Sequence, residues 1–421
     1  MLASPLHPIS ANEHELSFTM LSLFARLIRH VSLFCLVTVA LTAQGESASS
    51  ERPDAMSTAQ GKPLPNPLNK PQNSSLSTLP VVDDSRGVVI LQYHHISTST
   101  PPITSTTPEM FETHMKLIEE EGFHVKSLPW VVERLQQKQP IDDKTVVITF
   151  DDGYLSIYES AFPLLKARNW PFTIFVCPGP IDQKFSDSVT WEQLQEMQAA
   201  GATIANHSFH HDYLVDRKVD ENGVAENDDQ WLNRVRTDIL STEARIKEAL
   251  GVEHKLLAYP YGEFTDAMQG MLKEEGFVAF GQQSGAVGYF SEPTSLARFP
   301  AAGIYANPAT LKTKLYTLPF HVVEEPKKSL LLEGEVPELT VLMKPNGFRR
   351  AQVQCYYQGQ PIDTQVTDET VNGESLIRIT AQAEQLGRAR RHRYNCTAPT
   401  MNGKRYYWYS HSWVRSSEHD G

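Results

Sequence analysis

The sequence has few cysteines, no excess of positive charge and no apolar run of the roughly 20 residues typical of a membrane span. Its 421 residues include four cysteines, too few for a disulfide scaffold, and their spacing is not that of a zinc ribbon. Lys and Arg number 38 against 50 Asp and Glu, and the resulting net charge of −12 argues against a general nucleic-acid binder. The length is sufficient for two domains.

An apolar stretch at residues 31–43 follows Arg26 and Arg29 and precedes small and polar residues. At roughly 13 residues it is short for a membrane span of roughly 20, and its layout is that of a secretory signal peptide. We therefore predict a signal peptide with an N-terminal extension over residues 1–45, and export to the periplasm, the cell envelope or the medium. An uncleaved anchor is the alternative. Residues 46–85, rich in Ser, Pro and Asn, are predicted to be a flexible linker.

Short β-branched runs alternate with amphipathic segments over residues 86–325. Strands are predicted at residues 88–91, 145–150, 172–177, 203–205, 256–258 and 277–280, and helices between them. Repeated β-α units indicate an α/β fold with a parallel sheet, open or closed into a barrel. In such folds the active site follows the carboxyl ends of the strands.

The pattern changes near residue 326. Short alternating runs at residues 339–343, 352–357, 376–379 and 406–413 predict a small all-β domain over 326–421, a sandwich. Cys355 and Cys396 both lie in this predicted domain, and we expect them to form a disulfide; two free buried thiols are the alternative. Cys177 is predicted to be a buried small hydrophobe.

Two adjacent carboxylates, Asp151 and Asp152, end the buried strand at residues 145–150. They are costly there unless something neutralises them, and a metal ion does so by direct coordination. Because neighbouring side chains on an extended chain point in opposite directions, one carboxylate can hold the metal while the other serves as a base. An ordinary Asp-Gly turn is the plain alternative.

Three further strand ends carry reactive groups, namely His94/His95, His207/His211 and residues 259–262. Because His207 and His211 are four residues apart, one helical turn would place both on one face. Imidazole pairs at this spacing suit zinc or a similar divalent ion, and with Asp152 they would supply three protein ligands and leave a position open for water. His210 is an alternative second histidine.

These segments in combination resemble one known family. Residues 149–153 (Thr-Phe-Asp-Asp-Gly) and 207–211 (His-Ser-Phe-His-His) look like the first two motifs of the polysaccharide deacetylases of carbohydrate esterase family 4. Residues 93–96 (Tyr-His-His-Ile) and 259–262 (Tyr-Pro-Tyr-Gly) resemble the poly-β-1,6-N-acetylglucosamine N-deacetylase branch. The resemblance covers about residues 86–320 and implies a distorted, incomplete (β/α) barrel.

The resemblance also implies a role for each matched residue. The metal ligands would be Asp152, His207 and His211. Asp151 would be the general base, and the backbone N–H of Tyr261 would contribute to an oxyanion hole. His94 would be the general acid, whereas the side chain of His95 should point to the opposite face.

The sequence departs from the family pattern in two places. The wider family often has an arginine before the Pro-Tyr of the third motif, where this chain has Ala258 and Tyr259. An arginine that orients Asp151 is therefore missing or comes from elsewhere. No typical fourth motif is found, and residues 280–285 occupy its region.

The combined expectation is a metal-dependent hydrolase that N-deacetylates a polysaccharide containing N-acetylglucosamine, similar to the β-1,6-linked polymer, and releases acetate. Its cofactor would be a divalent metal ion, with zinc as the first choice. Nucleic acid is not expected as a partner, an association with the envelope or a membrane surface stays open, and the oligomeric state is not indicated. The alternatives are a deacetylase of peptidoglycan or chitin-like oligomers and a non-catalytic glycan-binding protein.

Cations and aromatic residues are concentrated near the C-terminus, namely Arg388, Arg390, Arg391, Arg393, Lys404, Arg405, Tyr406, Tyr407, Trp408, Tyr409 and Trp413. Aromatic faces stack on sugar rings, so this region could bind a polymer. The favoured interpretation is that the aromatics fill the sandwich core and the arginines form a solvated face.

Overall fold

The computed structural model describes residues 86–325, 330–332 and 334–415. The predicted signal peptide and linker lie outside these residues, and the predicted domain boundary at residue 326 stays a prediction. Among the helices of the described ranges, none is both long and apolar enough to cross a bilayer.

Strands and helices alternate in the first part of the described chain. The strands are β1 (Val88–Tyr93), β2 (His95–Ile96), β3 (Ser105–Thr106), β4 (His124–Val125), β5 (Thr145–Phe150), β6 (Thr173–Val176), β7 (Thr203–Asn206), β8 (Leu256–Ala258), β9 (Val278–Phe280) and β10 (Phe299–Pro300). The helices are α1 (Pro108–Glu120), α2 (Leu128–Gln136), α3 (Phe162–Ala167), α4 (Pro178–Asp182), α5 (Trp191–Ala199), α6 (Asp228–Leu250), α7 (Asp266–Glu274) and α8 (Pro308–Leu315). A π-helical turn, Ile157–Ala161, precedes α3.

A parallel sheet organises this part of the molecule. Its strand order is β10-β1-β5-β6-β7-β8-β9, with β4 beside β5, and all neighbouring pairs are parallel. One apolar cluster takes buried side chains from six of its strands, for example Ile90, Val147, Phe175, Leu256 and Phe280. A sheet that surrounds its own core in this way is curled, so the predicted α/β fold of the incomplete-barrel type is confirmed.

Helix ends follow the signals in the sequence. Thr190 and Gln193 form a capping box at the start of α5, and Asn227 with Gln230 forms a second one at the start of α6. Helix α6 ends at Gly251, whose φ of 71° is a conformation that glycine adopts without strain.

Strands dominate the C-terminal part of the described chain. They are β11 (Leu318–Pro319), β12 (Val322–Glu324), β13 (Glu338–Met343), β14 (Gln354–Tyr357), β15 (Gln360–Pro361), β16 (Asp363–Val371), β17 (Glu374–Gln382), β18 (Arg391–Pro399) and β19 (Tyr406–Val414). They form a five-stranded sheet, β11-β19-β18-β14-β15, and a four-stranded sheet, β12-β13-β17-β16. Both sheets contribute to one core, for example Val341 and Ile379 from one and Tyr394 and Trp413 from the other. We call this region the β sandwich.

The cysteine predictions are confirmed. Cys355 and Cys396 form a disulfide between directly opposed positions of β14 and β18. Cys177 is a free, buried thiol just after β6.

The favoured interpretation of the cationic C-terminal region is only half right. Tyr407 and Trp413 do fill the sandwich core, but Trp408 packs against the α/β core, with its ring 5.4 Å from that of Phe299. Four of the arginines do not form a solvated face, because they bond to groups of the α/β region; they are Arg390, Arg391, Arg393 and Arg405.

Candidate functional site

The predicted site residues all follow the carboxyl ends of strands β1, β5, β7 and β8. In a parallel sheet these ends share one edge, and the structure brings the six residues together there. A cleft of about 610 Å³ opens at this edge and is lined by His94, Asp152, His211 and Tyr261, among others. Asp151 lies beneath its floor and is fully buried.

Asp152, His207 and His211 form a three-residue cluster. Asp152 Oδ1 is 3.2 Å from His207 Nε2 and 3.3 Å from His211 Nε2, and the three ligand atoms lie within 4.8 Å of one another. Burial and the neighbouring His207 lower the pKa of His211 to about 4, so its ring offers a lone pair at neutral pH.

The chemistry of this cluster fits a metal ion. The ring of His207 is hydrogen-bonded through Nδ1 to the carbonyl of Ala258 at 2.7 Å. Because a carbonyl can only accept, Nδ1 carries a hydrogen, and Nε2 faces the carboxylate of Asp152, whose negative charge outweighs burial and raises the pKa of His207. Both His207 Nε2 and Asp152 Oδ1 are buried and have no hydrogen-bond partner within the described residues. The two atoms, together with His211, could hold a metal ion, and a carbonyl bonded to the far ring nitrogen is typical of metal-bound histidine.

The backbone that forms this cluster is not the one expected. Residues 207–211 are a loop and not a helical turn, so the helical reason given for the histidine pair is wrong. His211 meets His207 because Ser208 and His211 adopt positive φ values of 65° and 62°. Asp152 likewise has a φ of 72°. It therefore diverges from Asp151 through a left-handed turn, and the expected extended chain is wrong at this position.

His210 lies elsewhere. Its ring packs on Gly179, where an added Cβ would come within 2.3 Å of His210 Nδ1. His210 is exposed, whereas His211 is partly buried beside Asp152. The geometry therefore favours His211 over His210 as the second histidine.

Asp151 is held by Arg298, a residue that the sequence analysis did not find. Arg298 Nη1 donates to Asp151 Oδ1 at 2.6 Å and Nη2 donates to Oδ2 at 2.8 Å, and both side chains are fully buried. Burial alone would raise the pKa of Asp151, but the charge of Arg298 and nearby histidines outweighs it and lowers this pKa to about 2. The arginine missing from the third motif thus comes from the segment before β10.

Two more contacts fix this pair. Gln92, the fifth residue of β1, donates to Asp151 Oδ2 at 2.7 Å, and Arg298 Nε donates to the carbonyl of Gly281 at 2.9 Å. A signal for Arg298 does exist in the sequence, since it is a lone charge between Leu296 and Phe299 in an apolar segment. A charge there is buried and needs a partner.

His94 and His95 have different neighbours, as expected for successive residues. His94 Nε2 is 3.9 Å from Asp151 Oδ2, and its side chain, 18% exposed, lines the cleft. His95 is stacked on Tyr154, with ring centroids 3.5 Å apart.

Tyr261 lies at the rim of the cluster in the 3₁₀ turn Pro260–Gly262. Its φ of 58° is unusual for a residue with a side chain. The ring stacks on Tyr213 at 3.9 Å and contacts His211 edge-on at 4.4 Å. Burial raises the pKa of Tyr261 to about 12, so the phenol keeps its proton at neutral pH.

Comparison with known proteins agrees with the motifs. A sequence model described as polysaccharide deacetylase matches residues 138–280. The chain is 26% identical over 217 residues to YxkH of Bacillus subtilis (strain 168), a protein assigned to the polysaccharide deacetylases by name only, and the match covers 52% of this chain and 68% of that protein. It is 23% identical over 257 residues to the poly-β-1,6-N-acetyl-D-glucosamine N-deacetylase of Escherichia coli (strain K12), covering 54% of this chain but 38% of the relative.

A solved structure, that of IcaB from Ammonifex degensii, aligns with a TM-score of 0.46 at 25% identity, covering 54% of this chain and 97% of the other. The sequence match at residues 138–280 includes three of the four segments described above, those with Asp151 and Asp152, with the histidine pair and with Tyr261. The predicted resemblance to the polysaccharide deacetylases is confirmed over residues 138–280, which match the sequence model of that family.

Proposed function

We propose that the chain is a metal-dependent hydrolase that removes N-acetyl groups from a polysaccharide containing N-acetylglucosamine. The observation that carries the proposal is the cluster of Asp152, His207 and His211, whose ligand atoms lie close enough together to hold one metal ion, beside the buried carboxylate of Asp151. We take the β-1,6-linked polymer as the first substrate to test, because the Escherichia coli relative is named for it. The chain spans 38% of that relative.

The mechanism assigns one task to each residue. A bound divalent ion, which we propose to be zinc, would polarise the acetamide carbonyl and acidify the attacking water. Asp151 accepts the water's proton, and the backbone N–H of Tyr261 donates to the oxyanion that develops on the acetyl group. His94 returns a proton to the departing amine. The bonds that change are the amide C–N bond, which breaks, and a C–O bond to water, which forms, so the products are acetate and a glucosamine residue.

The contacts of Arg298 and Gln92 with Asp151 suit its proposed role as the general base. With a pKa of about 2 the carboxylate is ionised throughout the neutral range, and Arg298 and Gln92 fix the orientation of both its oxygens. Such a carboxylate is a weak base, so the transfer depends on a water that has already been acidified.

Acetate release by the purified protein tests the proposal. Defined oligomers of N-acetylglucosamine with β-1,6 and with β-1,4 links, and peptidoglycan, should be compared with and without a chelator. We expect release from at least one of them, abolished by the chelator and restored by divalent metal. If the purified protein binds no metal, or releases no acetate from any of these substrates, the proposal is contradicted and a glycan-binding protein is favoured. We also propose export to the periplasm or cell envelope, on the basis of the predicted signal peptide within residues 1–45.

The three proposed ligands can be tested separately. We expect Asp152→Ala, His207→Ala and His211→Ala each to lose bound metal and turnover together, because a three-ligand site does not survive as two. Elemental analysis of the purified variants measures this. The matched control is His210→Ala, which should keep both metal and turnover. Full metal occupancy in His211→Ala together with loss of metal in His210→Ala would show that His210, and not His211, is the ligand.

The neighbouring histidines His94 and His95 provide a test of the general acid. We expect His94→Ala to lower kcat by roughly 10²–10⁴-fold, the usual contribution of a general acid or base, with metal content unchanged. His95→Ala should stay within a few-fold of the wild type, because the ring of His95 is stacked on Tyr154 and, unlike His94, does not line the cleft. Steady-state kinetics on one short oligomer measure both effects. A large loss in His95→Ala with little loss in His94→Ala would assign the general acid to His95.

A further inference from the structure

The β sandwich forms one wall of the cleft that contains the proposed catalytic centre. Six residues of its strands line the cleft together with His94, Asp152, His211 and Tyr261, namely Arg391, His392, Arg393, Ser412, Trp413 and Val414. Arg391 and Arg393 lie two apart on β18, so their side chains extend from the same face of the strand. The cleft is therefore built by both parts of the chain.

Arg391 touches the residue proposed to supply the oxyanion hole. Its Nη1 donates to the carbonyl of Tyr261 at 2.9 Å, and its guanidinium carbon lies 5.6 Å from the centre of the Tyr261 ring. Arg393 Nη1 donates to the carbonyl of Gln282 at 2.5 Å. Gln282 in turn packs on Gly262, where an added Cβ would come within 2.6 Å of Gln282 Cβ.

Arg390 holds the far end of the same turn. It forms two-pronged hydrogen bonds to the carboxylate of Glu263, between 2.8 and 3.1 Å, and a further bond to Asp216 at 2.7 Å. The side chain of Glu263 is only 1% exposed. Arg390, just before β18, and Arg391 on β18 thus bond directly to Glu263 and Tyr261, and Arg393 acts on the same turn through Gln282.

The turn needs such support because its backbone is in a conformation that a residue with a Cβ rarely adopts. Tyr261 has φ 58° and ψ 1°, and positions of this kind persist only where the surroundings hold them. The direction of the Tyr261 N–H follows from this backbone conformation. A contact that fixes the carbonyl of the same residue therefore also limits where its N–H can point.

We propose that Arg390, Arg391 and Arg393 are positioning residues for the deacetylase centre, so that the β sandwich completes the active site by holding the Tyr261 turn. The inference rests on the proposed function, because the turn matters through the oxyanion that its N–H would stabilise. It differs from a polymer-binding role, since it acts on turnover of the smallest substrate. It also differs from general attachment of the β sandwich, which has a separate contact.

That separate contact supplies a matched control. Arg405, also from the β sandwich, donates to Asp143 at 2.8 Å and to the carbonyl of Tyr316 at 2.8 Å. Neither partner lines the cleft. Replacing Arg405 therefore weakens the attachment of the β sandwich without touching the Tyr261 turn.

The experiment compares Arg391→Met, Arg391→Lys and Arg405→Met in the full chain, with kcat and KM on one short N-acetylated oligomer, metal content and melting temperature. Removal of one half-exposed, charge-assisted hydrogen bond should lower kcat of Arg391→Met by roughly three- to tenfold, with KM and metal content unchanged. Arg391→Lys keeps a cationic donor and should recover most of the loss. Arg405→Met should keep the wild-type kcat even if its melting temperature falls.

Equal kcat values for Arg391→Met and wild type would overturn the inference alone. So would equal losses in Arg391→Met and Arg405→Met, or a loss that lysine does not recover, since either result indicates general loosening of the fold. A wild-type protein that binds no metal and releases no acetate would instead refute the proposed function, and the inference would fall with it.

Discussion

Replacing Asp151 with asparagine is expected to lower kcat by roughly 10²–10⁴-fold, the usual contribution of a general base. An amide cannot accept the proton of the attacking water, while the change in size is minimal. The three residues proposed to hold the metal are untouched, so metal content should equal that of the wild type. Turnover of a short oligomer, measured alongside elemental analysis of the same preparation, checks both parts.

The substitution has a second effect that must be controlled. Arg298 and Gln92 together donate three hydrogen bonds to the two oxygens of Asp151. In asparagine one of these oxygens is replaced by an amide nitrogen, which is itself a donor and would face the donor groups of its neighbours. Some loss of stability is therefore expected, and kinetics should be run well below the melting temperature. Asp143→Asn is the matched control, since it breaks an arginine pair outside the cleft. A turnover of Asp151→Asn within a few-fold of wild type would show that another group is the base.

The site residues that could be predicted are reactive side chains that directly follow a predicted strand. Asp151 and Asp152 directly follow a strand that is legible from its β-branched residues, and His207 directly follows another. Because parallel strands end at one edge, knowing the order of strands and helices was enough to expect these groups to meet. No knowledge of the loop geometry was needed.

Local backbone geometry could not be predicted from the sequence where it depends on tertiary contacts. The pairing of His207 with His211 was expected for a helical reason, yet it arises from positive φ values at Ser208 and His211. Nothing in the side chains of these two residues favours that conformation strongly. It is imposed by packing around them, for example by the hydrogen bond from the amide of Phe209 to Asp238 of α6.

The role of the cationic C-terminal segment was also hidden. The local sequence does not distinguish an arginine exposed on a strand from an arginine that bonds to a distant part of the chain. Arg390 and its partner Glu263 are 127 residues apart, so only the assembled fold reveals the pair. The strand β16 escaped prediction for a different reason, since its side chains are largely exposed and polar.

Replacing Arg298 with methionine is expected to lower the free energy of unfolding by roughly 3–5 kcal/mol at neutral pH, the usual cost of removing one partner of a buried ion pair. Both side chains are fully buried, so the carboxylate of Asp151 would lose its charge partner without gaining water. Turnover should fall as well, because Asp151 would lose the contacts that orient it. Urea unfolding monitored by circular dichroism measures the first effect.

The pH dependence of this loss has a definite sign. In the wild type the pKa of Asp151 is lowered to about 2, so the pair stabilises the fold above the unfolded pKa of about 3.9. That contribution is lost as the pH falls from there towards 2. In Arg298→Met burial acts without opposition from the guanidinium and raises the pKa of Asp151, so the carboxyl can take up a proton in mildly acidic solution. The variant should therefore be less destabilised at about pH 5 than at pH 7.

A double variant separates the ion pair from simple packing. If the cost of Arg298→Met comes from an unpaired buried charge, then adding Asp151→Asn removes that charge and should recover part of the lost stability at pH 7. If the cost comes from the cavity and the lost bonds to Gly281 and Thr149, the second substitution should add to the first. Arg298→Met with unaltered stability, or a loss that is the same at pH 5 and pH 7, would contradict the view that Arg298 is the partner that keeps Asp151 ionised in the core.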